Sequence, residues 1–156
     1  RRKCWLLEKR ARYREDASME LEPYLFFTGN CEDALNFYKP IFNGEIEGIS
    51  RWSEMPKDAG GPPVTPETAN RVMHASFKSP GVTFMASDAS PDKKYGEGSI
   101  SLSIATTDLA EAERVFNALG AGGNVEMPMQ DMFWGAKFGM LTDKFGIDWM
   151  VSCRTP

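Results

Sequence analysis

The order of hydrophobic and polar positions along this chain occurs twice. Residues 19–88 begin with a short aromatic run, continue into a helical pattern and end in a hairpin, and residues 99–153 follow the same order. Strict alternation of apolar and polar residues is typical of half-buried strands, whereas apolar residues spaced by three or four are typical of helices. We therefore predict an α+β fold of two paired βαβββ modules, each a curved half-barrel sheet with a helix on its outer face.

The first module has a helix with clear end signals. Asn30 is placed to cap its N-terminus, and two acidic residues follow in the first turn. Pro40 is expected to end or kink this helix, because proline lacks the amide hydrogen that a helix interior needs. A long loop with four prolines, residues 53–70, precedes the hairpin. The predicted strands are residues 23–28, 45–52, 71–78 and 81–87.

The second module opens with the clearest alternation in the chain, SISLSIAT. Its serines occupy one face and its aliphatic residues the other, so the hydroxyl-bearing face is expected to point away from the helix. Asp108 and Glu111 have the spacing of a capping box, and Gly120 is a favourable helix stop. The remaining predicted strands are residues 124–129, 137–143 and 147–153, with an aromatic loop at 131–135.

The charges are unevenly distributed. Residues 1–18 hold seven Lys or Arg and three acidic residues, whereas the rest of the chain holds eleven and nineteen. An acidic body is unsuited to the phosphate backbone, so we expect no nucleic-acid partner. No apolar run approaches the ~20 residues of a membrane span, so we expect no membrane partner. We interpret residues 1–18 as a basic N-terminal extension, and residues 19–156 as a single domain with modules at about 19–88 and 99–153.

The three cysteines are widely spaced and form no C-x-x-C pair. This usage is typical of free thiols in a reducing compartment, and it predicts a cytoplasmic protein. Cys31 lies at a predicted helix N-terminus, where a thiol pKa can be lowered, but we interpret it as a packing residue. No glycine-rich nucleotide loop follows a strand, so we expect no cofactor.

Three segments carry a family resemblance: YLFFTGNCEDALNFYKPIF, RVMHASFKSPGVTFMASDASP and FWGAKFGMLTDKFGIDWMVS. Over residues 21–153 the chain resembles the PhnB-like proteins, often described as a demethylubiquinone methyltransferase-type domain. They form a branch of the vicinal oxygen chelate superfamily, with glyoxalase I, extradiol dioxygenases and the bleomycin and fosfomycin resistance proteins. The resemblance implies the glyoxalase/bleomycin resistance fold, a homodimer and a link with phosphonate gene clusters.

Metal-using members of this superfamily take their ligands from the first and last strand of each half. The corresponding positions here are, by approximate alignment, Pro23, Phe84, Ser99 and Met150. Proline and phenylalanine cannot bind a metal, and a hydroxyl or a thioether is a poor ligand for Zn, Ni, Mn or Fe(II). The resemblance therefore implies a cup between the modules that has lost its metal.

We expect this cup to hold a small organic ligand, because its predicted lining is apolar with a few hydroxyl groups. The candidate ligand-binding residues inside it are Phe27, Phe84, Ser101, Ser103 and Met150. Further candidates are Gln130, Phe133 and Trp134 at its edge, and Glu54 and Met55 in the loop that could cover it. The alternatives are interior packing for the first group and a dimer contact for the aromatic edge.

His74, the only histidine, is the candidate catalytic residue, because imidazole can act as acid or base near neutral pH. Its alternative is a structural histidine held by hydrogen bonds. Three hypotheses stay open. The preferred one is a small-molecule-binding protein with a metal-free cup. The others are a glyoxalase- or dioxygenase-type metal enzyme using His74 with Glu54 or Asp88, and a metal-free isomerase or lyase using His74 as base.

Overall fold

The computed structural model describes residues 22–57, 63–89, 100–133 and 135–154. The basic extension lies outside these ranges. The first module contains β1 (Tyr24–Phe27), α1 (Cys31–Phe42), β2 (Glu45–Arg51), a short 3-10 helix (Trp52–Glu54), β3 (Val72–Ser79) and β4 (Val82–Asp88). The second contains β5 (Leu102–Thr106), α2 (Leu109–Gly120), β6 (Asn124–Met132), β7 (Ala136–Thr142) and β8 (Asp148–Arg154). Neither α-helix in the described ranges is long and apolar enough to cross a membrane.

The strands form two separate four-stranded mixed sheets. The first sheet has the order β1-β4-β3-β2 and the second the order β5-β8-β7-β6. In both sheets the first strand of the module runs parallel to the last, and the other neighbours are antiparallel. The shared order confirms the predicted α+β fold of two βαβββ modules.

One apolar core joins the two modules. Tyr38 of α1 contacts Phe84 of the first sheet at a ring-centroid distance of 5.9 Å and Trp149 of the second at 5.7 Å. Arg114 of α2 donates from Nη2 to the carbonyl of Ile41 in α1 at 2.7 Å. The helix-facing sides of both sheets are therefore inside the molecule. Their opposite sides, which we call the first and second open faces, point away from this core.

A buried carboxylate strengthens the junction between the modules. Asp143, in the β7–β8 turn, is 4% exposed. It accepts hydrogen bonds from Tyr38 Oη at 2.5 Å, from Trp149 Nε1 at 2.8 Å and from the amides of Phe145 and Ile147. Burial first, and the nearby Asp143 carboxylate second, raise the pKa of the Tyr38 hydroxyl above its ordinary value. The tyrosine therefore remains a donor, and it ties α1 to the second module.

Helix α1 differs from its prediction at both ends. Asn30 is at the N-cap position but makes no capping hydrogen bond with its side chain. Asp88 at the end of β4 takes over this role, because its Oδ1 accepts from the amides of Gly29 and Cys31 at 2.9 Å. Pro40 lies inside the helix, which continues to Phe42, so Pro40 does not end it, and the alternative of a kink stays a prediction.

The turn after α1 requires a residue without a side chain. A Cβ added to Gly44 would lie 2.3 Å from the ring of Phe77, which is fully buried. The Gly44 amide donates to the carbonyl of Lys39 at 2.9 Å and closes the helix. The aromatic core therefore fixes where α1 ends and β2 begins.

Helix α2 has its predicted limits but only half of the predicted capping box. Asp108 accepts from the amide of Glu111 at 3.2 Å. The Glu111 side chain does not return to Asp108, because it pairs with Arg114 at 2.6 Å. The amide of Asp108 donates instead to Thr106 Oγ1 at 3.1 Å. Beyond the helix, β6 extends to Met132, so the aromatic loop is shorter than predicted.

Candidate functional site

The first open face carries an aromatic and imidazole cluster. Tyr24 Oη lies 3.3 Å from His74 Nδ1, and the two ring centroids are 5.9 Å apart. Phe26 stacks on Tyr24 at 4.8 Å. These residues share a face because Tyr24 and Phe26 alternate along β1 with the buried Leu25 and Phe27. The cluster therefore lies on the side of the sheet that turns away from the helices.

Strand register places smaller side chains between these rings. Met85 pairs with Tyr24 in β1 and with Ser76 in β3. Ser50 pairs with His74, and its hydroxyl donates to the His74 carbonyl at 3.4 Å. Because β4 separates β1 from β3, the phenol of Tyr24 reaches across Met85 to the imidazole. The result is a mostly apolar surface with a phenol, an imidazole and a hydroxyl.

The second open face is rich in methionine side chains. Ser103 pairs with Met150, and Met150 pairs with Met140, which is opposite Met127. In the neighbouring row, Phe138 lies opposite both Gln130 and Ser152. Methionine side chains adapt to irregular shapes and contact aromatic rings favourably. This face therefore offers a deformable apolar surface bordered by hydroxyl and amide groups.

One end of the second open face is acidic. Thr142 Oγ1 lies 2.9 Å from Glu126 Oε1 and 2.7 Å from Asp148 Oδ1. Glu126 is exposed and Asp148 is half-buried. Two carboxylates around one hydroxyl disfavour a multiply charged anion at this end of the face.

The structure brings several predicted site residues together. Ser103, Met150 and Gln130 lie on the second open face, as their register requires. Ser101 is half-buried immediately before β5, and Phe133 is 95% exposed in the β6–β7 turn. Trp134 lies outside the described residues.

Phe27 and Phe84 are in a different place from the one predicted. They were expected inside the cup, but they are 2% and 1% exposed in the core. Phe27 contacts Phe145 of the second module edge-on at 6.3 Å, and Phe84 stacks on Phe77 at 4.7 Å. Both side chains therefore point to the helix-facing side of the first sheet, opposite to the side predicted.

Glu54 and Met55 lie at the start of the long loop. Glu54 Oε2 accepts from the Arg51 amide at 2.9 Å and thereby caps the short 3-10 helix. Met55 is half-buried at the end of that helix. Glu54 thus has a local structural role, and its place near a ligand stays a prediction.

Sequence reasoning missed Tyr24 and Met85. The run PYLFF is apolar at every position, so its alternation does not reveal which side faces the helix. The hydroxyl of Tyr24 was the one available signal of an outward orientation, because partly buried tyrosine hydroxyls usually form a hydrogen bond. Its distance of 50 residues from His74 hid that partner.

Cys31 is unsuited to act as a nucleophile. It is fully buried at the start of α1. Burial first, and then the charges of Asp88 and Glu32, raise the pKa of its thiol to about 12. A thiol that remains protonated is a weak nucleophile, so the packing interpretation of Cys31 agrees with its surroundings.

A groove of about 230 Å³ lies at the junction of the modules. It runs along the edge strand β5, between α1, α2 and the β3–β4 turn. Its lining includes Phe42, Pro80, Ser103 and Glu111. It is separate from the first open face and contains neither Tyr24 nor His74.

The side chains that the structure describes do not fit a catalytic metal. Of the four positions implied by the resemblance, Ser99 lies outside the described residues, Phe84 is in the core, and Pro23 has no donor side chain. Met150 offers only a thioether. Within residues 22–57, 63–89, 100–133 and 135–154, no three His, Cys, Asp or Glu side chains are grouped so that they could hold a metal ion.

Comparison with known proteins places this fold. Over 89% of the chain and 94% of the other chain, it superimposes on the fosfomycin resistance protein FosX from Listeria monocytogenes with a TM-score of 0.59, at 11% identity. At this identity the likeness concerns the fold alone. Together with the two four-stranded mixed sheets, it shows that the chain has the glyoxalase/bleomycin resistance fold.

More similar proteins define the family. The family model described as 3-demethylubiquinone-9 3-methyltransferase matches residues 19–152, and the chain belongs to this PhnB-like family. YjdN from Escherichia coli is 36% identical over 141 residues, which cover 86% of this chain and 95% of YjdN. Protein PA1353 from Pseudomonas aeruginosa is 38% identical, with a TM-score of 0.76 over 89% of this chain and all of the other. The PhnB protein from Bacillus cereus is 31% identical, with a TM-score of 0.71 over 86% and 99%.

Proposed function

We propose that the protein binds a small, partly apolar or aromatic metabolite in a metal-free cup made by two chains. The observation that carries this proposal is the outward direction of both open faces. Each face presents apolar side chains with a few hydrogen-bonding groups, which is the usual composition of a small-molecule site. Within one chain the shared core lies between the faces, so one face alone forms half a cup.

A homodimer completes the cup. The first open face of one chain would lie opposite the second open face of its partner, and the two-fold symmetry of a dimer would create two equal cups. Phe26, on the first open face, is 43% exposed and stacks on Tyr24. Burial of such side chains between chains would stabilise the pair.

The chemistry of the open faces supports a cup without a metal. Tyr24 and Met85 meet at the parallel β1–β4 pair, and Ser103 and Met150 meet at the equivalent β5–β8 pair. These four side chains offer a phenol, two thioethers and a hydroxyl. Metals that activate water or substrate need imidazole or carboxylate ligands, so this set favours binding by shape and hydrogen bonds.

Direct capture of a phosphonate is disfavoured. Phosphonate oxygens are held in proteins by arginine, lysine or groups of backbone amides. On the first open face, Lys78 already pairs with Glu47 at 3.4 Å. The second open face carries Glu126 and Asp148 at one end. A neutral or weakly charged ligand suits both surfaces better.

Native mass spectrometry tests this proposal together with a variant that fills the cup. We expect protein purified without chelator to have the mass of two chains plus a small organic molecule. Ser76→Trp, in the middle of β3 on the first open face, is expected to lose that molecule. Asn117→Trp, on the exposed surface of α2, is the matched control and is expected to retain it. A stoichiometric transition metal, or a ligand retained in Ser76→Trp, would contradict the proposal.

The cytoplasmic location also stays a proposal. Cys31 and Cys153 are free, buried thiols. Free thiols are stable in reducing compartments, which supports this location. Fractionation of cells that express the protein with a C-terminal tag tests it, and recovery outside the cytoplasm would contradict it.

A further inference from the structure

The pair formed by Tyr24 and His74 has a polar arrangement that packing alone does not require. Tyr24 Oη reaches across β4 to His74 Nδ1, at 3.3 Å. Both residues are half-buried on the first open face. Neither is held by a residue of the helical core, so their contact organises the surface of the open face itself.

We infer that this pair is the recognition element of the cup, and that it selects planar aromatic compounds bearing a carbonyl or phenolic oxygen. The inference rests on the proposed function, because it assigns a ligand class to the same cup. Three features carry it: the contact between Tyr24 Oη and His74 Nδ1, the orientation of the phenol ring and the charge of the surrounding face.

The contact between Tyr24 Oη and His74 Nδ1 leaves Nε2 as the ring nitrogen that a ligand can reach. When the Tyr24 hydroxyl donates to Nδ1, the neutral imidazole carries its proton on Nε2. Within the described residues, Nε2 has no hydrogen-bond partner. It can therefore donate to an oxygen acceptor of a ligand, while Tyr24 holds the ring in orientation.

Stacking sets the direction of the phenol ring. Phe26 stacks on Tyr24 with an interplanar angle of 29°, so the Tyr24 ring is held by a neighbour on its own strand. Met85 lies beside it on β4. Flat rings and thioethers are favourable surfaces for a planar aromatic ligand. A flexible aliphatic ligand would gain less from this arrangement.

The charges of the face favour a neutral ligand. Lys78 is four residues from His74 on the same side of β3, and Glu47 neutralises it. A donor nitrogen in a neutral apolar surface discriminates between ligands with and without an acceptor, because an unpaired polar group there is costly.

The first part of the test uses the fact that the chain has a single histidine. Nitrogen-15 NMR reports the tautomer of the imidazole, and every imidazole signal can be assigned to His74. We expect the Nε2–H form in the ligand-free protein, and a mixture of both tautomers in Tyr24→Phe. A predominant Nδ1–H form in the original protein would overturn the inference.

The second part uses three matched probes: acetophenone, cyclohexyl methyl ketone and propylbenzene. They carry an aromatic ring with a carbonyl, a carbonyl without the aromatic ring, and an aromatic ring without the carbonyl. We expect acetophenone to bind most tightly and to shift the His74 nitrogen signals. Replacing His74 by Phe, which keeps a ring but has no donor, should weaken acetophenone about fivefold, the size of one neutral hydrogen bond, and leave propylbenzene unchanged.

Asn117→Gln, on the exposed surface of α2, is the control, and its acetophenone affinity is expected to stay within about twofold, since surface changes are usually small. Equal affinity for all three probes, or no binding by any of them, would overturn the ligand class. Equal acetophenone affinity in His74→Phe would overturn the role of the pair. In these cases a dimer that retains an organic molecule in native mass spectrometry would leave the proposed function standing, so the two failures are distinguishable.

Discussion

The two modules follow one plan but hold their helices in different ways. In the first module the N-terminus of α1 is held by Asp88, which lies 57 residues from Cys31 in the chain. In the second, Asp108 caps α2 from three residues before Glu111. The first arrangement requires a folded sheet, whereas the second forms locally. A duplicated fold can therefore preserve its topology while the interactions that secure it diverge.

The open faces diverge in the same way. Equivalent parallel strand pairs bring Tyr24 against Met85 in the first module and Ser103 against Met150 in the second. The first face adds His74 and the second adds Phe138 and Gln130. In the proposed dimer, two unlike half-cups would give a ligand two chemically different walls, whereas two equal halves would present the same groups twice.

The largest expected effect is at Asp88. This residue is 4% exposed, and it accepts from the amides of Gly29, Cys31 and Val72, each at 2.9 Å. Asp88→Ala would leave these donors without the carboxylate, and we expect the free energy of unfolding to fall by about 3–4 kcal/mol. Urea unfolding followed by circular dichroism measures it. A loss no greater than that of Asp108→Ala would contradict the contrast between the modules.

The junction between the modules predicts the second effect. Tyr38→Phe removes a buried donor to Asp143 and keeps the aromatic ring in place. We expect a loss of about 2 kcal/mol in the free energy of unfolding, because the carboxylate keeps its other donors. Tyr24→Phe, the same substitution on an open face, is the control and should change it by about 0.5 kcal/mol or less. Equal losses of unfolding free energy in the two variants would show that the Tyr38 hydroxyl does not stabilise the junction between the modules.

The buried thiol at the start of α1 predicts a dependence on alkaline pH. Folding raises the pKa of Cys31 from 9.0 to about 12, so its contribution is fully present below pH 9 and is lost as the pH rises toward 12. At pH 10 we expect the free energy of unfolding to be lower by about 1 kcal/mol than at pH 8. Cys31→Ala should flatten this part of the curve in urea titrations at each pH. An unchanged slope in that variant would assign the effect to other groups.

The smallest expected effect is at Asp108. Its carboxylate is an exposed local cap, and removal of such a cap costs about 0.5–1 kcal/mol. Urea unfolding of Asp108→Ala therefore sharpens the comparison with Asp88→Ala. A loss above about 2 kcal/mol would place Asp108 beyond the usual range of helix caps.

The sequence predicts the topology well, because strand alternation and helix spacing are local signals. Ser103 was correctly placed away from the helix, since Leu102 and Ile104 on either side of it pack against the core. The run PYLFF gave no such guide, and Phe27 was placed on the wrong face. Phe84 was misplaced although VTFMAS alternates, with Val82, Phe84 and Ala86 on one side and Thr83, Met85 and Ser87 on the other.

Long-range partners were beyond reach of the sequence patterns. Asn30 looked like the cap of α1, but the acceptor is Asp88 on another strand. The partner of His74 is likewise on a different strand. Such pairs depend on sheet register, which local patterns do not specify. The sequence patterns therefore indicated the approximate location of the candidate site and the residue His74. The contacts between its side chains could be described only from the fold.

The most direct test of the central claim is a cross-link between the two open faces. In one chain Ser76 and Ser103 lie on faces that turn away from the shared core, so a short bis-maleimide is expected to join them only between chains. We expect co-expressed Ser76→Cys and Ser103→Cys proteins, in a Cys4→Ser background, to give a covalent product of two chains. Ser76→Cys with Asn117→Cys is expected to give none. A monomer in light scattering, or no product for the first pair, would contradict a cup built by two chains.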